Sequence, residues 1–426
     1  MKVVIDGAGE VGSHLAKLLS REGNEVTVID SDEKRLDAIS ATADVGVVEG
    51  EPSSIAAMRR AGVDQCDLFI AVFPHVNQEV NLVACMFAKK LGAKKVVARI
   101  HNDLLGADPK KMIREAGIDM TFCPEKIASD VIVSHIKRGL NSDTLDFVQE
   151  FSVEEASQFR VIAITRDEKT LIPKFDTKFK FGDVVYIMIK KAGLKKLTGY
   201  LGVSDIDVEK VMIIGGGTVG TMTAASLFGD IPDIKVIEVN HNRCVEVDEI
   251  LDDSILVVNG DGRNPDFLVE EGITSYDAFV AVTGNDEANI LACVAAKKFG
   301  VPRTIAEVEN IEYVSLAEEM GIDLVVNKKL SSASLIFKMT LSDKAKFIRY
   351  MSGTKAEVLE YTAARDSAIT RAPLKDIDFP EGAVVGGVLR DQDALIAVGD
   401  TVIQDGDRVV VFALPDAIKA VDKLFK

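Results

Sequence analysis

The five cysteines, Cys66, Cys85, Cys123, Cys244 and Cys293, stand singly, with no C-x-x-C and no histidine pair nearby. Their spacing describes neither a metal site nor a redox motif, so they read as reduced, mostly buried thiols. The chain is also short of positive charge: 50 basic side chains against 67 acidic ones leave a net charge of −17. Such a surface repels nucleic acid and anionic lipid at long range, which argues against binding either by general electrostatics. Long apolar runs are missing as well. Runs such as VVYIMI from Val184 to Ile189 fall far short of the roughly 20 residues of a membrane helix. Met1-Lys2 leads straight into a strand pattern without a signal peptide. The expectation is a cytoplasmic chain whose only route to a membrane is a protein partner, with no nucleic-acid and no direct lipid binding.

Catalytic signatures are equally scarce. A dehydrogenase needs a proton donor or acceptor beside the nicotinamide, commonly a His paired with a carboxylate or a helical Tyr-x-x-x-Lys. The five histidines, His14, His75, His101, His135 and His241, are scattered. The one Tyr-x-x-x-Lys, Tyr186 to Lys190, lies in a β pattern, where four residues span about 13 Å rather than the ~6 Å of one helical turn. The acidic pairs Glu154-Glu155 and Glu318-Glu319 read as solvated faces. No catalytic or metal-binding residue is expected.

What the chain does have is repetition. Its 426 residues predict two to four domains at roughly 100–200 residues each. Gly7, Gly9 and Gly12 recur as Gly215, Gly217 and Gly220 at an offset of 208, and the acid ending the next strand keeps that offset, Asp30 against Glu238. The repeat continues through CDLFIAV against YDAFVAV, EVNLVACMFAKKLG against EANILACVAAKKFG, VVARI against TIAEV, and AGID against MGID. Short apolar strands alternate with amphipathic helical stretches, the pattern of a doubly wound parallel sheet, so the fold class is α/β with two Rossmann-like sheets.

A second kind of segment follows each copy. VIAITRDEKTLIPKFDTKFKFGDVVYIMI aligns without a gap on VVGGVLRDQDALIAVGDTVIQDGDRVVVF, pairing Arg166 with Arg390, Asp167 with Asp391, Ile172 with Ile396 and Gly182-Asp183 with Gly406-Asp407. Both alternate apolar and polar residues between turns and read as small β-rich modules. Between sheet and module lies an amphipathic helix, Pro124 to Arg138 and again Leu330 to Ile348. The stripes Ile127, Val131, Ile132, Ile136 and Leu335, Ile336, Met339 fit either intramolecular core or a helix swapped across a dimer. The expected boundaries are 1–123, a connecting helix 124–140, 141–207, 208–329, a second connecting helix 330–350, and 351–426.

The glycine loops carry the chemistry. In strand–G-x-G-x-x-G–helix geometry the first Gly makes the turn, the second admits the pyrophosphate and the third lets helix pack on strand. The helix N-terminus points free N–H groups at the phosphates. A strand-ending acid follows each loop, Asp30 and Glu238. A carboxylate there accepts hydrogen bonds from ribose hydroxyls and repels a 2′-phosphate, favouring NAD(H) or an adenine nucleotide over NADP(H). The copies differ where Glu307 replaces Arg99, which points to a less anionic ligand or weaker binding at the second loop. They differ again where FPHVNQEVN replaces TGNDEAN, adding two residues at the mouth of the fourth strand. Two nucleotide folds without a substrate domain point to a sensor, with an NAD-dependent oxidoreductase as the alternative.

The succession GAGEVGSHLA, VIDSD, IAV, NLVAC, ARI and a β-rich module, repeated with GGGTVG, VIEVN, VAVTGNDEANILAC and VLRDQDALIAVGDTVIQDGDRVVVF, resembles the tandem-RCK family known as TrkA. That family comprises the peripheral, nucleotide-binding subunits of bacterial Trk potassium uptake systems, and the likeness spans essentially the whole chain. It implies two RCK N-type Rossmann domains, each followed by an RCK C-type module. It also implies a gating ring built as a dimer of dimers, docked on a membrane-embedded TrkH-type potassium channel subunit, with NAD(H) and ATP or ADP as ligands. A regulator of a different transporter is the remaining alternative. By position, the first site would use Gly7, Ala8, Gly9, Glu10, Val11, Gly12, Asp30, Phe73, Pro74 and Arg99. The second would use Gly215, Gly216, Gly217, Thr218, Val219, Gly220, Glu238, Thr283, Gly284 and Glu307. Phe73, Pro74 and Glu307 depart from the small polar or basic residues the family leads one to expect there.

Overall fold

The computed structural model describes residues 1–21, 23–73, 78–101, 109–137, 159–166, 169–174, 177–180, 183–189, 208–337, 345–350, 356–390 and 393–426. The first repeat runs β1 (Lys2–Asp6), α1 (Glu10–Arg21), β2 (Glu25–Asp30), α2 (Glu33–Ser40), β3 (Gly46–Glu49), α3 (Ile55–Arg60) and β4 (Leu68–Ala71). It continues with α4 (Gln78–Leu91), β5 (Lys95–Arg99), α5 (Pro109–Glu115), β6 (Met120–Phe122) and a linker helix, α6 (Pro124–Ile136). Then come β7 (Phe159–Arg166), β8 (Lys169–Leu171) and β9 (Val184–Ile189). The second repeat runs β10 (Lys210–Ile214), α7 (Thr218–Leu227), β11 (Asp233–Glu238), α8 (His241–Ile250), β12 (Leu256–Asn259), α9 (Pro265–Glu270) and β13 (Ala278–Ala281). It continues with α10 (Asp286–Lys298), β14 (Arg303–Glu307), α11 (Glu312–Glu319), β15 (Leu324–Val326) and a second linker helix, α12 (Lys328–Phe337). The chain closes with β16 (Ala345–Tyr350), β17 (Glu357–Thr362), β18 (Ala383–Arg390), β19 (Asp393–Ile396), β20 (Arg408–Ala413) and α13 (Pro415–Leu424).

Each repeat forms a six-stranded sheet, ordered β3-β2-β1-β4-β5-β6 and β12-β11-β10-β13-β14-β15, with every pairing parallel. The central strands are apolar on both faces because helices cover both. Val3, Val4 and Ile5 are buried together, as are Val211, Met212 and Ile213. In this order the chain reverses direction between β1 and β4, and between β10 and β13, leaving a crevice at the strands' carboxyl ends. Both glycine loops open there.

The chain divides into two compact units, one of Met1–Asp130 with Asn327–Thr340, the other of Val131–Val326 with Leu341–Lys426. The division exposes an exchange of helices. Inside the first unit, α12 from the second repeat packs along α1. Inside the second, the last turn of α6 is held by Arg303, which is fully buried and donates from Nη1 to the Ile136 carbonyl at 2.8 Å. Lys137 just beyond that turn pairs with Asp230. The apolar stripes therefore serve as intramolecular core, with α12 packed against the other repeat of the same chain. Ile132, Ile136 and Ile336 are buried, whereas Val131 is exposed, and Met339 and Arg138 lie outside the described residues.

The expected second linker, Leu330 to Ile348, is too long. The described helix is Lys328–Phe337, and Ala345–Tyr350 is a strand paired antiparallel with β17. AKFIRY is rich in the aromatic and β-branched residues that favour strand, Phe347, Ile348 and Tyr350, and pairs with β17 through a register shift between Phe347 and Arg349.

In the β-rich modules, β8-β7-β9 form a three-stranded sheet and β16-β17-β20-β18-β19 a five-stranded one, both antiparallel. The aligned residues turn out to be partners. Arg166 makes a bidentate pair with Asp183, at 2.7 Å from both Nε and Nη2, and its Nη2 also donates to the Lys178 carbonyl. Arg390 repeats every element on Asp407, at 2.9 and 2.7 Å, and on the Val402 carbonyl. Ile172 and Ile396 follow β8 and end β19, while Asp167, Gly182 and Asp391 lie outside the described residues. Ile162, Val358, Val384, Val410 and Phe412 form one cluster against Tyr186 and Met188, so the two modules share core.

Arg303→Met should strip α6 of its cap and leave the Ile136 carbonyl unpaired in the interior, at a cost of about 2–3 kcal/mol. Thermal unfolding of the full chain would register this as a fall of roughly 4–10 °C; an unchanged Tm would show that α6 is held by other means.

Candidate functional site

The second glycine loop shows the crevice in full. Gly215 has φ +103°, and a Cβ there would stand 2.7 Å from the Val282 carbonyl oxygen, so a side chain is excluded twice over. A Cβ at Gly220 would fall 2.0 Å from the Gly215 carbonyl oxygen, which lets α7 start hard against β10. Nothing lies within 4 Å of a Cβ built on Gly217. Its bare face looks into a cleft of ≈ 330 Å³ lined by Gly215, Gly217, Glu238, Thr283 and Gly284, and by the Gly260–Arg263 turn after β12. Glu238 is almost buried. Its Oε2 accepts from the Gly216 N–H at 2.7 Å and its Oε1 from the Asn240 N–H at 2.8 Å.

The first loop repeats this geometry. Gly7 has φ +118°, a Cβ at Gly12 would fall 1.8 Å from the Gly7 carbonyl oxygen, and Gly9 is as open as Gly217. Asp30, 2% exposed, accepts from the Ala8 N–H at 2.6 Å through Oδ2 and from the Asp32 N–H at 2.9 Å through Oδ1. Val11 and Val219 are buried on their helices, while Glu10 and Thr218 open α1 and α7.

The strand-ending acids thus act first on the protein itself. Each ties the glycine loop to the start of the following helix, and each oxygen keeps one lone pair for a ligand hydroxyl. The N–H groups opening α1 and α7 face the open glycine with the positive end of the helix dipole, an arrangement suited to a pyrophosphate.

The mouth residues are placed by two asparagines that motif reading did not single out. Asn81, fully buried, accepts from the Phe73 N–H at 2.9 Å and donates to the Phe73 and Arg99 carbonyls at 3.0 and 2.9 Å. Asn289 does the same for Thr283 and Glu307 and also accepts from the Thr283 hydroxyl at 2.6 Å. Both stood in the aligned strings NLVAC and NILAC, which was the available signal. Phe73 is half-buried, Gly284 is open, and Pro74 lies outside the described residues. Arg99 points at Glu125, Nη2 to Oε1 3.1 Å. Burial pushes the Glu125 carboxyl up, but its own backbone N–H and Arg99 outweigh that and hold it below the usual range. Glu307 is buried.

The thiols behave as the spacing implied. All five are buried and free, burial pushes Cys66 up to about 12 and Cys123 to about 11, and Cys85 and Cys293 donate to the Val97 and Ile305 carbonyls at matching 3.3 Å distances. Tyr186 sits on β9, so no helical Tyr-x-x-x-Lys exists there, and Lys190 lies outside the described residues.

One difference lies at the crevice floor. Asp6, fully buried, replaces the Ile214 that lines the second cleft, and neither carboxyl oxygen has a hydrogen-bond partner within bonding geometry. Burial pushes its pKa up to about 7, the Ser53 backbone N–H opposes the rise, and the Asp30 carboxylate adds to it. Ser53 itself carries a left-handed φ of 60°.

The TrkA-N domain family matches residues 3–124 and 211–328, and the TrkA-C domain family residues 147–202 and 358–426. Among curated relatives, Trk system potassium uptake protein TrkA homolog 2 of Methanosarcina mazei is 35% identical over 456 aligned positions, covering 100% of both chains. The TrkA homolog of Archaeoglobus fulgidus is 32% identical over 446, again covering 100% of both. A solved structure described as "GsuK channel bound to NAD" superposes with a TM-score of 0.61 at 18% identity, covering 100% of this chain and 78% of that one.

The orphaned carboxyl gives a pH signature. Between the ordinary carboxylate value and about 7, folded Asp6 keeps a proton that the unfolded chain releases, so its penalty accumulates as pH rises and levels off above 7. Asp6→Ile, which copies Ile214, should therefore exceed wild type in stability by a margin that grows by about 3 kcal/mol from pH 5 to pH 7.5. Paired denaturant titrations at the two pH values measure this; equal margins would mean that Asp6 ionises freely.

Proposed function

The chain belongs to the TrkA family, and on that premise we propose that it is the nucleotide-sensing regulatory subunit of a potassium uptake system, acting on a membrane channel subunit and turning over no substrate. Full-length identity to proteins named for potassium uptake supports the transport role. The observation that carries the sensing role is the pair of glycine loops, each tied to its own acid and each opening on a crevice at the switch point of a parallel sheet. The pyrophosphate of NAD(H), or the phosphates of ATP or ADP, would lie over Gly9 and Gly217, whose bare faces admit them. The ribose hydroxyls would use the spare lone pairs of Asp30 and Glu238. A structural neighbour is described as bound to NAD, in keeping with that chemistry.

The chain would work in the cytoplasm, peripheral to the membrane through a TrkH-type subunit. Among the described residues no helix is long and apolar enough to cross a bilayer. Assembly into a ring of dimers would multiply the effect of each site. A nucleotide biases the attached channel only by binding one ring conformation better than the other, and a tenfold preference is worth about 1.4 kcal/mol per site. Two sites per chain let the ring compare two ligands or read one ligand at two concentrations.

Calorimetric titration with NADH and with ATP, on wild type, Gly9→Asp and Gly217→Asp, tests this reading. Both glycines face open space, so the substitutions should leave the fold intact and abolish binding at their own loop only. Each should remove a different ligand or stoichiometric step. Wild type that binds neither nucleotide would sink the proposal.

A further inference from the structure

The first site has a cation that its own repeat does not encode. In the first unit, Lys329 on α12 reaches Glu10 at the first residue of α1, Nζ to Oε2 3.0 Å. The two ends of this pair are unequal. Lys329 is only 16% exposed, whereas the Glu10 side chain is 76% exposed. Glu10 follows directly on Gly9, the open glycine over which a phosphate group would lie. Lys328 lies beside Glu125, the partner of Arg99, and helps keep that carboxyl ionised. Arg99 and Lys328 thus stand against Glu125, and Lys329 against Glu10 at the start of α1. In the second repeat the positions of Glu10 and Arg99 are taken by Thr218 and Glu307.

An exposed carboxylate is a weak partner, because water competes for it and its own chain is mobile. A phosphate bearing one or two charges in the same place is a stronger one, and lysine suits it as a point charge on a flexible stem. We propose that Lys329 is a phosphate-reading residue of the first site. On nucleotide binding it leaves Glu10 for the terminal phosphate of a nucleoside di- or triphosphate seated on the Gly7–Gly12 loop. This rests on the nucleotide reading of that loop and adds what distinguishes its ligands, the number of phosphates. It also supplies a link between repeats, since α12 continues directly from β15 of the second repeat and would feel whether the first site is filled.

Calorimetry on the full chain carrying Gly217→Asp, which leaves the first loop as the binding site, tests this with AMP, ADP and ATP. Lys329→Gln should weaken ATP by about tenfold and AMP by less than about twofold, with ADP between them. Lys329→Arg should retain most of the ATP affinity. Glu10→Gln, which removes the competing carboxylate, should tighten ATP and leave AMP unchanged, an effect of opposite sign that loss of packing cannot produce. Equal losses for AMP and ATP in Lys329→Gln, or weaker ATP binding in Glu10→Gln, would overturn the assignment. Should Lys329→Gln fail to fold, Glu10→Gln decides alone, since its side chain is exposed, and unchanged ATP binding would overturn the proposal. Absence of all three ligands from the parent protein would instead refute the nucleotide reading on which it rests.

Discussion

Each half of the molecule depends on one carboxylate holding one backbone N–H. Asp30 grips the Ala8 amide and Glu238 the Gly216 amide, at 2.6 and 2.7 Å, from the end of the neighbouring strand. The first and third glycines of each loop admit no side chain, because φ is near +100° at the first and a Cβ on the third would meet the first one's carbonyl oxygen. Without an external acceptor that amide would be unpaired inside the fold. With it, the loop is locked in the one conformation that turns the next N–H groups outward. The other oxygen of each carboxylate holds the start of the following helix, so a single acid sets both walls of the crevice. Ligand chemistry is therefore superimposed on a structural bond.

Duplication has kept that backbone device and changed the charges around it. The crevice floor is a buried acid in one copy and isoleucine in the other, Asp6 against Ile214. The mouth is arginine paired with Glu125 in one and a buried Glu307 in the other. The Asn81 and Asn289 clamps are the same to within about 0.1 Å in the bonds they share, so the charges differ around a common backbone clamp. The exchange of linker helices gives this asymmetry a consequence, because residues of one repeat complete the surroundings of the other.

Much of the fold was legible in the residues, and for a definite reason. Glycine spacing, strand-ending acids and apolar periodicity are local signals, and the internal repeat presents each of them twice. Arg166 and Asp183 were visible as aligned with Arg390 and Asp407, yet not as each other's partners, since alignment compares copies and says nothing of contacts within one. Asn81 escaped notice because its bonds reach eight and eighteen residues along the chain, beyond any motif window. The second linker helix reads as running through AKFIRY because apolar residues continue into it, and only pairing with β17 shows that Ala345–Tyr350 is strand.

The sequence by itself determined the two doubly wound sheets, the β-rich modules that follow them and the glycine loops at the strands' ends, because all of these are written in short-range spacing. Tertiary structure alone decided that the strand-ending acids bind the glycine loops, that the Asp6 carboxyl is buried without a hydrogen bond, and that α12 packs on α1 of the other repeat while only the last turn of α6 is held by Arg303. Those outcomes depend on which distant groups meet in the interior, where every buried amide and carboxylate must find a partner or shift its charge.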